Sequence, residues 1–214
     1  MAPYAIPEDL LGDVVASKER ILSTVKRVAK EIYYGRDYVG ETPILLCLRE
    51  GAIPFHRDLT HELDKLGFAF ESAWLKTHHR YAGVEGSGDV NIFPYDGPAL
   101  ENRLVVIVED IIDSSETILR VCDYLDSRHV GQRNICTFLF KERSANIEWR
   151  NTGLNGYMHL PEVRHVGLFI EPLFVVGYGL DYNEFGRDGE EIRVLNPLGQ
   201  AWIDEQLKST QINP

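Results

Sequence analysis

The chain has 214 residues, 44% of them hydrophobic and 26% charged, proportions of a globular protein with a substantial core. Its formal net charge of −11 sets up a field that repels nucleic acid and anionic membranes, and leaves polyanionic small molecules dependent on a local cation cluster or on Mg²⁺. No stretch approaches the roughly 18 apolar residues of a membrane span, and Met1–Val15 has no basic region ahead of an apolar one, so neither a membrane protein nor a secretory leader is expected.

In chain order, Ile21, Val25, Val28 and Ile32 recur at helical spacing and predict a helix over 17–35, with Ser17 as its N-cap. Pro43 then opens a short apolar strand, Ile44 to Leu48, that stops at Arg49-Glu50-Gly51. Phe55, Leu59, Leu63 and Leu66 mark the face of a second helix, and a strand is expected from about Phe68 to Leu75. Residues 77–97 carry several glycines and no period, the composition of a functional or disordered loop, in which His78 and His79 read as exposed side chains. Leu104 to Val108 is a wholly apolar run that stops at Glu109-Asp110, with Asp113 three residues on. Small hydroxyl residues follow, then a helix over about 117–127 with Ile118, Val121, Cys122 and Leu125 inward. Ile135 to Phe140 forms a further strand ending at Lys141. Another, about Leu173 to Gly177, leads into Tyr178-Gly179-Leu180-Asp181-Tyr182-Asn183-Glu184, and Trp202 and Leu207 belong to a C-terminal helix.

Short apolar strands alternating with helices predict a parallel sheet covered on both faces. In such a sheet the charged ends Arg49-Glu50, Glu109-Asp110 and Lys141 lie on one edge, where open α/β sheets bind ligands. The helix beginning near Thr117 aims its first N–H groups at the same loop, a site for a phosphate. Carboxylates beside a phosphate site point to a phosphorylated sugar, a metal, or both. The three cysteines, Cys47, Cys122 and Cys136, sit in apolar patterns without metal-ligand spacing, as buried free thiols of a reducing, cytoplasmic protein.

Val106-Ile107-Val108-Glu109-Asp110-Ile111-Ile112-Asp113 resembles the phosphoribosyl-diphosphate signature of type I phosphoribosyltransferases. Phe174 to Glu184, followed by Arg187-Asp188, resembles the C-terminal signature of the hypoxanthine-guanine branch. Gly51 to Phe55 with Asp58-Leu59 resembles that branch's pyrophosphate loop, and Lys141 falls where the branch carries its purine-reading lysine. The resemblance implies an α/β fold with a parallel five-stranded core sheet flanked by helices and a small hood. It would form one domain over 1–214, with the core at about 37–170 and the hood built from the N-terminal segment and about 171–214. The implied reaction moves ribose 5-phosphate from phosphoribosyl diphosphate to a 6-oxopurine, hypoxanthine or guanine, giving a purine nucleoside monophosphate and pyrophosphate in purine salvage.

The same resemblance assigns roles. Glu109 and Asp110 would lie by the ribose hydroxyls and the metal, and Asp113 would act as the catalytic acid or base at N7 of the purine. Ser114, Ser115, Glu116 and Thr117 would wrap the 5′-phosphate. Arg49, Glu50, Gly51 and Arg187 would line the pyrophosphate site. Lys141, Phe174, Val175 and Asp181 would form the purine site, with Lys141 at the 6-oxo group, Phe174 stacked on the base and the Val175 backbone at its edge. Mg²⁺ is the implied cofactor, with Asp181, Glu109 and Asp110 as its oxygen donors or their close neighbours. Thr77, His78 and Tyr81 would belong to a mobile catalytic loop. A homodimer or homotetramer is implied, with no nucleic acid or membrane partner.

Three positions depart from the family pattern. Glu50 stands where the pyrophosphate loop usually has lysine, Ser115 replaces a phosphate-loop glycine beside the acidic Glu116, and the loop after Lys76 lacks the usual Ser-Tyr pair. Two other functions are therefore compatible with the residues. One is a transferase using a different acceptor or sugar phosphate. The other is a non-catalytic nucleotide-binding regulator, which the acidic net charge disfavours if its partner is RNA.

Overall fold

A computed structural model of the chain describes residues 4–35, 38, 40–79, 90–95, 97–113, 115–141 and 163–210. The apolar run ending in carboxylates is strand β5, Leu104–Ile112, and it lies inside a sheet with neighbours on both sides. Around it the order is β4 (Val90–Ile92), β3 (Glu71–His79), β2 (Ile44–Arg49), β5, β6 (Gln132–Lys141), β7 (Val163–Ile170). The pairs from β3 through β7 are parallel, so the expected five-stranded parallel core is present. The addition is β4, which joins the edge of the sheet antiparallel to β3.

Alternation along the strands builds two cores. Leu45, Val106, Val108, Cys136 and Phe138 meet helices α1 (Lys18–Tyr34) and α2 (Ile53–Lys65), which press Ile21, Val25, Val28, Phe55, Leu59 and Leu63 onto that face. Ile44, Leu46, Val105, Ile107 and Ile135 face the other way, onto Ile118, Val121 and Leu125 of α3 (Glu116–Ser127). Burial on both faces explains why β2 and β5 read as continuous apolar runs. Ser17 caps α1 as expected, its hydroxyl accepting the Arg20 N–H at 3.3 Å. The three cysteines are free and buried. Among the described residues no helix is long and apolar enough to cross a membrane.

A second sheet joins the two ends of the chain in the order β1 (Leu11–Ala16), β9 (Ile192–Leu195), β8 (Val175–Val176). Beneath it Val176, Phe185, Leu195 and Ile203 form a third cluster with Ile6, Leu11, Trp202 and Leu207, the last two from helix α4 (Pro197–Thr210).

Several boundaries differ from the sequence expectation. The strand placed at 68–75 starts at Glu71 and continues through His79, so Thr77 and His78, expected in a mobile loop, have strand backbone. The reason is a short antiparallel ladder in which Thr77 faces Ile92 and His78 faces Asn91, a pairing partner that glycine-rich composition hides. Tyr81 of the same expected loop lies outside the described residues. The strand expected over 173–177 is only Val175–Val176 and belongs to the smaller sheet. Strands β1, β7 and β9 carried no strand expectation.

Candidate active site

The parallel register brings the three charged strand ends to one edge. Cys47 of β2 lies opposite Val108 of β5, and Ile112 of β5 lies opposite Phe140 of β6, so Arg49, Glu109-Asp110 and Lys141 follow on the same side. Glu109 is buried, and its Oε1 accepts the Asp110 N–H at 3.0 Å. Burial, then the neighbouring Asp110 carboxylate, pushes the Glu109 carboxyl well above the usual range. Asp110 turns back to accept the Ile111 N–H at 2.8 Å.

The loop after β2 packs directly on this carboxylate. A side chain at Gly51 would run into the Asp110 carboxylate, and one at Gly179 (φ +97°) would run into the Gly51 carbonyl oxygen. Glycine is needed at both for the three segments to touch. The Arg49–Glu50 peptide is cis, and the two side chains pair at 3.5 Å. The expected pyrophosphate residues Arg49, Glu50 and Gly51 are thus together, with Arg49 partly neutralising Glu50.

Just past the C-terminal end of β5, Asp113 and Lys141 meet across strands, Nζ to Oδ2 at 2.7 Å. The Lys141 ammonium also stands 5.8 Å from the centre of the Phe174 ring, within cation–π range. Phe174 is 39% exposed, leaving ring surface open. Val175 follows on β8, the outer strand of the small sheet. Because the Leu195 N–H bonds to the Phe174 carbonyl at 2.9 Å and Val175 is opposite Val194, the alternation of an antiparallel ladder turns the Val175 N–H and C=O away from β9. Lys141, Phe174 and the outward Val175 backbone are therefore one neighbourhood with Asp113.

Asp181 and Arg187 form a further pair at 2.8 Å. Arg187 also bonds Glu184 at 3.1 Å and the Gly179 carbonyl at 2.9 Å, while Asp181 accepts the Glu184 N–H at 2.7 Å. Burial pushes the Asp181 carboxyl up, with smaller contributions of the same sign from Glu184 and Asp110. The Gly179–Gly51 and Gly51–Asp110 contacts join this C-terminal turn to the β5 carboxylates.

Ser115 is the N-cap of α3 in the left-handed region (φ +70°), the conformation that favours glycine. Glu116 is exposed in the first turn of α3, and Thr117 is half-buried beside it. Ser114 lies outside the described residues. Two contributors had little sequence signal. Tyr178, between two left-handed glycines, donates its hydroxyl to Asp58 Oδ2 of α2 at 2.9 Å and so holds the Gly177–Gly179 turn against Gly51. The glycines on either side of Tyr178 hint at its importance, but nothing near Asp58 announces the bond.

Hard carboxylate oxygens at Glu109, Asp110 and Asp181 suit Mg²⁺, which takes one or two protein carboxylates and completes its shell with water and substrate phosphate. Among the described residues no group of three or more His, Cys, Asp or Glu side chains converges into a protein-made metal site.

An acidic strand end, a left-handed entry into a helix N-terminus and a lysine-carboxylate pair beside an open aromatic ring thus share one edge of the α/β sheet. Residues 13–156 match the phosphoribosyl transferase domain family. A hypoxanthine-guanine phosphoribosyltransferase of Staphylococcus aureus is 30% identical over 189 residues, covering 87% of this chain and 95% of its own. The crystal structure of a Staphylococcus aureus hypoxanthine phosphoribosyltransferase superposes with a TM-score of 0.72 at 28% identity, covering 89% of this chain and 94% of that one. A Trypanosoma cruzi hypoxanthine phosphoribosyl transferase shares the fold with a TM-score of 0.76 at 23% identity, over 94% of this chain and 98% of that one. The chain belongs to the type I phosphoribosyltransferase family, in its hypoxanthine-guanine branch.

Proposed function

We propose that the protein is a purine-salvage enzyme that transfers ribose 5-phosphate from phosphoribosyl diphosphate to the ring nitrogen of hypoxanthine or guanine. The observation that carries this reading is the Lys141–Asp113 contact beside Phe174, which puts a proton acceptor, a cation for a 6-oxo group and a partly exposed ring side by side. When the purine enters, Lys141 exchanges its bond to Asp113 for one to the 6-oxo group. The Asp113 carboxylate, no longer bonded to Lys141, then accepts the proton from N7 as the purine nitrogen bonds to C1′ and the bond from C1′ to pyrophosphate breaks. The first N–H groups of α3, with Ser115 and Thr117, hold the 5′-phosphate. Glu109 and Asp110 border the ribose hydroxyls, and Gly51 and Arg187 border the pyrophosphate. Asp110 and Asp181 would hold Mg²⁺, which when bound would supply charge neutralisation for the pyrophosphate. The small sheet and its cluster form the hood over the base, the protein works as a homo-oligomer, and its location is cytoplasmic.

The test is spectrophotometric turnover of hypoxanthine and guanine with phosphoribosyl diphosphate and Mg²⁺. Asp113→Asn is expected to lower kcat by about a hundredfold or more, the usual contribution of a positioned acid or base, while still binding a purine nucleoside monophosphate. A wild-type protein that binds the monophosphate but turns over neither base defeats the catalytic assignment.

A further inference from the structure

The ring assigned to purine stacking is supported from the C-terminal helix. Tyr182 meets Phe174 at near-perpendicular planes, 86° with ring centres 5.2 Å apart. The Tyr182 hydroxyl donates to Asp204 Oδ1 on α4 at 3.1 Å. Tyr182 itself begins a turn closed by two backbone bonds with Phe185, each 3.0 Å. The other end of that turn is also gripped by α4, because Phe185 packs edge-on against Trp202, 5.9 Å between ring centres, and the adjacent Ile203 is fully buried. The helix therefore fixes both aromatic ends of the turn, one through packing and one through a hydrogen bond.

We infer that Asp204 is a positioning residue for purine recognition: by holding the Tyr182 hydroxyl it sets the ring that buttresses Phe174, and so tunes affinity for the base from a helix distant from the reacting atoms. The inference rests on the assignment of Phe174 to base stacking. The physical basis is rotational freedom. An edge-to-face contact depends on the orientation of both rings. Tyr182 is only partly buried, so without its tether the ring has room to turn and the Phe174 contact loosens. The turn also carries Glu184, which bonds the Arg187 assigned to pyrophosphate, but the Asp204–Tyr182–Phe174 contacts themselves bear on the ring alone, so the larger effect falls on the base.

The experiment is steady-state kinetics of the full chain with separate KM values for hypoxanthine and for phosphoribosyl diphosphate. Asp204→Ala and Tyr182→Phe are each expected to raise the hypoxanthine KM about three- to tenfold, the worth of one hydrogen bond. The diphosphate KM and kcat are expected to stay within about twofold. Asp204→Asn keeps an acceptor oxygen and is expected to restore the wild-type KM, and Leu198→Ala, at a 70% exposed position of α4, controls for general perturbation of the helix. Should Asp204→Ala fail to fold, Tyr182→Phe still decides, since it keeps the ring and removes only the hydroxyl. An unchanged hypoxanthine KM in Tyr182→Phe, or equal rises in both KM values, overturns the inference. A wild type without turnover defeats the stacking assignment itself, a result distinct from a turning-over wild type with insensitive variants.

Discussion

Lys141 and Asp113 neutralise each other in the unliganded site, and each is exposed to a different cost when the partner goes. Lys141→Gln removes a charged donor worth about 1.5–3 kcal/mol and takes a positive charge from beside Asp113. The expected result is a purine KM raised by at least about tenfold, read in the same assay with 6-oxopurine substrates. Glu50 raises the opposite problem. Its carboxylate sits on the loop that packs against Asp110, beside the expected path of a polyanion, and Arg49 at 3.5 Å only partly offsets it. Like charges about 4 Å apart repel by about 1–4 kcal/mol between bulk and intermediate dielectric. Glu50→Lys is therefore expected to tighten pyrophosphate binding by about tenfold or more, measured by calorimetric titration; unaltered affinity would place the side chain outside the pocket. At this scale the sequence was legible where chemistry coincides with a strand end, as at Glu109, Asp110 and Lys141. It was silent on which of these groups pair with each other.

The elements show how local pattern and long-range pairing compete. The stripes of α1, α2 and α3 and the apolar runs of β2, β5 and β6 were readable because their periods persist over many residues. Strand β8 has two residues, too few for any period, and β4 has three. Both exist because a neighbouring strand supplies the ladder. The entry to α3 illustrates the cost of a local departure. Ser115 holds φ +70° without a side-chain cap bond, whereas glycine adopts that conformation freely. Ser115→Gly is expected to stabilise the fold by about 0.5–1 kcal/mol after the larger entropy of unfolded glycine is subtracted, seen as a rise in the urea midpoint. An unchanged or lowered midpoint would mean that the serine hydroxyl makes up the difference through its surroundings.

Across the whole molecule, buried polar groups tie the layers together. On the α1 side His165 bonds the Tyr38 hydroxyl at 2.8 Å, and the Asn134 amide donates to the same hydroxyl at 3.1 Å. On the α2 side His56 is buried against Trp74, with Nε2 lacking a hydrogen-bond partner among the described residues. Burial lowers the His56 pKa below its ordinary 6.5, the Leu45 carbonyl opposing in part. A base with a depressed folded-state pKa is protonated first in the unfolded chain, so stability is lost as pH falls below 6.5 and the loss levels off below the folded value. His56→Asn is expected to flatten that part of the pH–stability curve by up to about 1.4 kcal/mol per pH unit, measured by urea unfolding at several pH values. Identical slopes in the two proteins would show that His56 does not titrate with folding.

The sequence by itself determined the alternating α/β order, the edge on which the strands deliver their charges and the helix that starts just after the β5 carboxylates. These follow from short-range patterns: apolar runs, helical stripes and the residue types at their ends. Only the tertiary structure decided that Lys141 closes on Asp113 across 28 residues and that Tyr178 reaches Asp58 across 120. It alone decided that a small sheet is woven from both ends of the chain. Such contacts depend on which surfaces bury each other when layers pack, and packing partners distant in sequence leave no period to read.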